Sequence, residues 1–163
     1  MWSAVTSPVG DLRVVVRDTL GAVAITAIEF APWSSASGRP VGDRADEHPV
    51  LAAAHDQLTA YFAGELTEFD LPLTPEGSDF QHRVWDQLLA IGYGETASYG
   101  QIALRLGMTN AASRAVGLAN GRNPIPIVIP CHRVIGADGS LTGYAGGVQR
   151  KQTLLELEQD ALF

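Results

Sequence analysis

The chain has 163 residues, 46% hydrophobic and 18% charged, with a formal net charge of −7. That length suits one or two small domains with a buried core. The absence of any apolar run near 18 residues argues against a membrane-spanning helix, and a single cysteine rules out an internal disulfide, which suits a reducing cytosol. The opening MWSAVTSPVGDLRVVV lacks a basic start and an uninterrupted apolar stretch, so it does not read as a secretory signal.

Residues 12–18 (LRVVVRD) and 22–30 (AVAITAIEF) are β-branched and apolar, with Gly21 near the join, and predict a hairpin. A polar loop broken by proline and glycine follows over 31–49. Val50, Leu51, Ala54, Leu58, Tyr61 and Phe62 share one face of a helix predicted over 50–63 and stopped by Gly64. TEFDLPL reads as a short strand, and residues 72–79 read as a linker, which puts a domain boundary near residue 75. Beyond it, Phe80, Val84, Leu88 and Ile91 recur at helical spacing, and GYGET breaks that helix. Ser98 followed by Gln101 is a capping-box pattern for a helix running to Gly107. Thr109 or Asn110 can cap a further helix over 111–121. NPIPIVIP, with prolines three apart, predicts extended backbone leading to Cys131. Gly136, Gly139, Gly143, Gly146 and Gly147 mark turns. A last helix over 149–159 puts Leu154, Leu155 and Glu158 toward one side.

The paired helices ending at Gly107 and Gly121 suggest a helix-turn-helix, although an ordinary helix pair is the commoner meaning of such a pattern. Charge distribution bears on the choice. Residues 1–79 hold 4 basic and 12 acidic groups, whereas residues 80–134 hold five arginines against Asp86 and Glu95. Arginine suits bidentate recognition of phosphates and base edges, and Arg114 sits near the start of the second helix.

A lone cysteine is most often a small buried hydrophobe. Cys131 stands instead in IPCHRV, with His132 beside it. An ordinary thiol is little ionised at neutral pH, and a histidine can take its proton directly or through water. On an extended chain adjacent side chains point apart, so that pairing needs a water or a local turn. Glu158 is a candidate to orient the imidazole. Taken singly, Glu158 also fits a solvated helix carboxylate, Tyr99 a packing residue and Asn123 a turn residue.

PCHRV resembles the active-site signature of the O6-alkylguanine-DNA alkyltransferases. FQHRVWDQLLAIGYGETASYGQIA, SRAVGLANGRNP, GSLTGYAGGVQRK and LLELE resemble the same family in the same order, over roughly residues 80–159. The resemblance implies an α/β protein of two domains. Residues 1–75 would form a ribonuclease H-like antiparallel sheet with a helix. Residues 76–163 would form a mostly helical domain with the helix-turn-helix and the reactive cysteine. It implies irreversible transfer of an alkyl group from O6 of guanine, or O4 of thymine, to the protein's own cysteine after base flipping. Cys131 would be the acceptor, His132 the base acting through water, Glu158 its orienting partner, Asn123 a brace of the active-site loop and Tyr99 the donor to the departing guanine. Arg114 would fill the stack left by the flipped base. Ser113, Ala112, Gly117 and Tyr99 would meet DNA in the minor groove. Val134, Tyr144, Ala145, Gly146 and Lys151 would line the base pocket. The implied partner is double-stranded DNA carrying O6-alkylguanine, met by a cytoplasmic monomer with no cofactor and no membrane.

The chain departs from the family pattern at Gly92, where proline is frequent, and by one extra residue between Tyr99 and Arg114. With only His48 and His55 as candidate ligands in the first half, no structural zinc is expected. Two other readings stay open. A damage sensor on the same fold would lack the cysteine, and a cysteine hydrolase using Cys131, His132 and Glu158 would turn over repeatedly.

Overall fold

The two β-branched runs pair as a hairpin. In the computed structural model, which describes residues 1–33, 42–141, 144 and 146–160, strands β2 (Leu12–Thr19) and β3 (Ala22–Phe30) are antiparallel, with Thr19 opposite Ala22. The two turn residues between them, Leu20 at φ 55° and Gly21 at φ 86°, both take the left-handed conformation of a tight hairpin turn. Asp18 Oδ1 accepts from the Gly21 amide at 2.8 Å. A bulge between Val15 and Val16 shifts the register. A further strand, β1 (Trp2–Val5), adds antiparallel to β2 and gives the order β1-β2-β3. Its four residues carry no turn signal of their own.

Helix α1 (Pro49–Phe62) covers this sheet with Leu51, Ala54, Leu58 and Tyr61, all buried. Pro49 opens it in the position where a missing amide proton costs nothing. His48 caps it, accepting from the Val50 amide at 3.2 Å. The strand expected over TEFDLPL reduces to a single parallel bridge between Leu73 and Ile25. The Ile25 amide donates to Pro72 O and the Thr74 amide to Ile25 O, and Pro72 has no amide proton to extend the ladder. Residues 34–41 of the long loop lie outside the described residues. These elements form one unit, Met1–Glu76.

The second unit, Gly77–Phe163, is mostly helical. Helix α2 (Asp79–Leu89) begins at the end of the stretch read as a linker. Ser78 and Gln81 form a capping box there, and α3 (Tyr99–Arg105) has the expected one between Ser98 and Gln101. Ser98→Ala should therefore cost about 1 kcal/mol, read as a lower urea midpoint with unchanged slope. A midpoint equal to wild type would deny the cap its role.

Gly107, at φ 75°, turns the chain out of α3. The next helix starts later than expected. Asn110–Ala112 form a 3-10 turn, and α4 runs over Ser113–Gly121. Neither Thr109 nor Asn110 caps α4. Instead Ser113 Oγ donates to Asn110 O at 2.7 Å and to Asn110 Oδ1 at 3.1 Å. A Cβ at Gly100 would overlap the Asn110 carboxamide and force that side chain to move. Buried Trp85 of α2 ties to α4 by donating from Nε1 to Ala119 O at 2.9 Å.

NPIPIVIP is not extended. Residues 124–129 coil through turns, with Ile129 N donating to Ile125 O at 3.0 Å and Ile127 at φ 74°. Prolines exclude a regular helix but not a folded turn. Cys131–Arg133 form a second 3-10 turn, and β5 (Val134–Ile135) pairs parallel with β4 (Ala97–Ser98), a pairing the sequence does not announce. Gly139 and Gly147 have positive φ in the turns that follow, while Gly143 lies outside the described residues. Helix α5 (Val148–Asp160) buries Lys151, Leu154 and Glu158, whereas Leu155 is only partly covered. Among the described residues no helix is long and apolar enough to cross a membrane.

Candidate active site

Cys131 opens the 3-10 turn that follows Pro130, and 3% of its surface is exposed. Two asparagines, from the end of α4 and the loop after it, hold the backbone of Cys131 and of the coil that leads to it. Asn120 Nδ2 donates to Cys131 O at 3.2 Å. Asn123 Nδ2 donates to Ile129 O at 2.8 Å, while Asn123 Oδ1 accepts from the Ile125 amide at 3.0 Å. Asn123 thus braces the coil that delivers the cysteine. Burial pushes the Cys131 thiol up to about 11, against the opposing pull of the Asn123 side chain, the Lys151 charge and the amides of residues 131 and 132. The resting thiol is protonated and needs a base.

The turn, rather than an extended chain, sets His132 beside it. His132 is fully buried. Its Nε2 lies 2.6 Å from Glu158 Oε2, and its Nδ1 bonds to no described residue. Burial lowers the imidazole pKa, Glu158 raises it, and the charges of Arg133 and Lys151 lower it further. The net direction is down, so the ring is neutral at physiological pH and can accept a proton.

Glu158 is 1% exposed, so the solvated-carboxylate reading of it does not hold. Arg133 Nε donates to its Oε1 at 2.8 Å and Arg133 Nη2 to its Oε2 at 3.1 Å. The Gly94 amide adds a bond to Oε1 at 3.3 Å. Arg133 Nη1 donates to Ile91 O at 2.7 Å, and its guanidinium lies 5.8 Å from the Tyr93 ring centroid. Sequence reasoning missed Arg133. It follows His132 directly, and only the 3-10 turn shows that adjacent side chains reach one carboxylate.

Lys151 is buried and donates from Nζ to Val134 O. Desolvation lowers its pKa to about 8 against the attraction of the Cys131 charge. Its ammonium stands 5.9 Å from the Tyr99 ring centroid. Tyr99 begins α3, and a Cβ added at Gly117 of α4 would meet its ring edge at an ordinary contact distance. Tyr144 is buried, and its phenol pKa is raised by desolvation and next by the Cys131 charge, which places both in one environment. Gly146 is partly covered, its carbonyl accepting from Arg150 Nη1 at 3.2 Å. Ala145 lies outside the described residues.

The structure therefore gathers Cys131, His132, Glu158, Asn123, Val134, Tyr144 and Lys151, with Tyr99 at the Lys151 side. Arg114 is apart from them, exposed in the first turn of α4, with Ser113 and Ala112 partly exposed beside it. Leu118 (65% exposed) continues that outer face. In the first unit His48 is the helix cap and His55 stands 3.5 Å from Asp56. Among the described residues no three His, Cys, Asp or Glu side chains are grouped to hold a metal.

Comparison with known proteins matches both halves of this architecture. Residues 79–160 match the family model of the 6-O-methylguanine DNA methyltransferase DNA binding domain, and residues 1–75 that of its ribonuclease-like domain. A methylated-DNA–protein-cysteine methyltransferase of Mycolicibacterium paratuberculosis is 53% identical over 97% of this chain and 92% of its own length. One from Mycobacterium tuberculosis is 67% identical over 110 residues, which is 68% of this chain and 66% of that relative. The crystal structure of Mycobacterium tuberculosis OGT in complex with DNA superposes with a TM-score of 0.84 at 50% identity, covering 98% of this chain and 93% of that one. With the cysteine turn, the buried histidine–carboxylate pair and both halves matched in order, the chain belongs to the 6-O-methylguanine DNA methyltransferase family.

Proposed function

We propose that this protein repairs alkylated double-stranded DNA by moving the alkyl group from O6 of guanine, or O4 of thymine, onto Cys131. The observation that carries the reading is one turn, Cys131–Arg133, that holds a buried thiol and, next to it in sequence, a buried imidazole whose Nε2 is bound to Glu158 at 2.6 Å. The Cys131 proton passes to His132 Nδ1 through a water. The sulfur forms a bond to the alkyl carbon as the carbon–O6 bond breaks, and the guanine leaves with a proton from the Tyr99 hydroxyl. The product is a thioether and a restored guanine. Nothing in the site reverses a thioether, so each molecule acts once. The Lys151 charge favours the thiolate, and Asn123 holds the turn.

An alkyl group on O6 lies inside the duplex and is reached only by extruding the base. Arg114 enters the gap from the exposed start of α4, with Ser113, Ala112 and Gly117 allowing close approach. Val134, Tyr144, Ala145 and Gly146 wall the flipped base. Residues 1–75 make the first domain and residues 76–163 the DNA-binding and transfer domain. The protein works as a cytoplasmic monomer without a cofactor.

The test is intact mass after incubation with a duplex containing O6-methylguanine, followed by peptide mapping. One added methyl group on Cys131, with no further turnover, is the expected result. Tight lesion binding without mass gain would favour a sensor, and repeated product release would favour a hydrolase.

A pH dependence follows from His132. Its pKa lies below the ordinary imidazole value, so the base is lost only as pH falls below about 6.5. The transfer rate should stay level from neutral pH down to about 6.5 and decline under it. A rate already halved above that value would contradict a neutral buried imidazole as the base.

A further inference from the structure

We infer that Arg133 is a positioning residue for the transfer: it clamps the Glu158 carboxylate so that His132 keeps its proton on Nε2 and offers Nδ1 as the base. This rests on the reading above and deepens it. The argument is one of donors and acceptors. An ionised carboxylate only accepts hydrogen bonds. Glu158 accepts from Arg133 Nε and the Gly94 amide at Oε1, and from Arg133 Nη2 at Oε2. His132 Nε2, 2.6 Å from Oε2, must then be the donor. A neutral imidazole has one N–H, so Nδ1 is left with its lone pair, and Nδ1 is the atom that bonds to no described residue.

The fork geometry of the guanidinium matters as well as its charge. Both Nε and Nη2 reach the carboxylate, while Nη1 is fixed to Ile91 O at 2.7 Å. The clamp therefore cannot rotate without losing a backbone bond. Its electrostatic effect is equally directed. Alone, a buried carboxylate at this distance would draw a second proton onto His132. Burial offsets that pull first, and the Arg133 charge adds to it. The charged and titratable groups around the imidazole are Glu158 and Lys151 from α5, Cys131 and Arg133 from its own turn, and Tyr93 from the loop after α2 against the guanidinium.

The experiment is nitrogen-15 NMR of the imidazoles in histidine-labelled protein, combined with the pH profile of single-turnover methyl transfer. In the wild type, His132 should show a protonated Nε2 and an unprotonated Nδ1, without titrating between about pH 8 and pH 6.5. In Arg133→Met the carboxylate must either protonate the imidazole or take a proton and donate to Nε2. The first raises the His132 titration into the neutral range, and the second moves the ring proton to Nδ1. Either should lower transfer at neutral pH by about tenfold or more. In Arg133→Lys, which keeps the charge without the fork, the ring should stay neutral at neutral pH, with the share of Nε2-protonated ring between those of the wild type and Arg133→Met. Wild-type spectra and an unmoved acid limb in Arg133→Met would overturn the proposal, whatever the loss of stability. Should that variant fail to fold, a wild-type spectrum with the proton on Nδ1 would overturn it equally. The spectra do not depend on transfer. Expected spectra without methyl transfer would overturn the proposed function and leave the clamp standing.

Discussion

Glu158→Gln is expected to slow methyl transfer by roughly 10²–10⁴-fold and to cost about 3–5 kcal/mol of stability. The carboxamide keeps the shape of the side chain but has one acceptor and one donor end. Oε1 receives Arg133 Nε at 2.8 Å and the Gly94 amide, so the amide oxygen takes that position and the amide nitrogen is left against Arg133 Nη2 and His132 Nε2. The amide nitrogen then donates to His132 Nε2, which must become an acceptor, and the ring proton moves to Nδ1. The nitrogen that should receive the thiol proton is blocked. The same change leaves the Arg133 cation buried without a counter-charge, and an unpaired buried ion is among the costliest single defects. Single-turnover transfer to labelled duplex reads the first effect and urea unfolding the second. A wild-type rate would remove Glu158 from the mechanism.

Arg114→Ala should act in the opposite manner. The side chain is exposed and takes no part in the core, so stability should change by no more than about 0.5 kcal/mol. Extruding a base costs a few kcal/mol. Losing the residue proposed to occupy the gap should slow transfer from duplex DNA by about 10–100-fold. Free O6-methylguanine needs no extrusion, and its slow reaction with the protein should be unchanged. Equal losses on both substrates would place Arg114 in the chemistry or the fold instead.

Much of this was legible before any coordinates. Two β-branched apolar runs joined at Gly21 placed the hairpin, and helical spacing of apolar residues placed the helices because burial imposes that period. Ser98 and Gln101 were readable because a capping box is local chemistry with fixed spacing. Ser78 and Gln81 carry the same signal, but a glycine–proline context made them look like linker. The elements that were missed depend on distant partners. Trp2–Val5 is a strand because β2 is there to receive it, and Ala97–Ser98 pairs with Val134–Ile135 only after the chain has folded back. Ile127 at φ 74° is a conformation rarely adopted by a β-branched residue, so the two prolines suggested extended chain where the chain coils. In the site, Cys131 and His132 stood out as a motif, and Glu158 was a candidate on the last helix that family resemblance tied to His132. Arg133 looked like another basic residue in an arginine-rich segment, because nothing local to it reveals a carboxylate 25 positions away.

The 3% exposure of Cys131 and its pKa of about 11 have a consequence for the protein between encounters with damage. Under the proposed transfer each molecule is consumed by its own reaction, and such a reagent needs shelf life. At neutral pH only about one thiol in ten thousand is ionised at such a pKa, and oxidants and soluble electrophiles react with the thiolate. The same burial that makes a base necessary also keeps the stock of unused molecules fresh, so that the amount of active protein in a cell records the lesions met rather than the time elapsed.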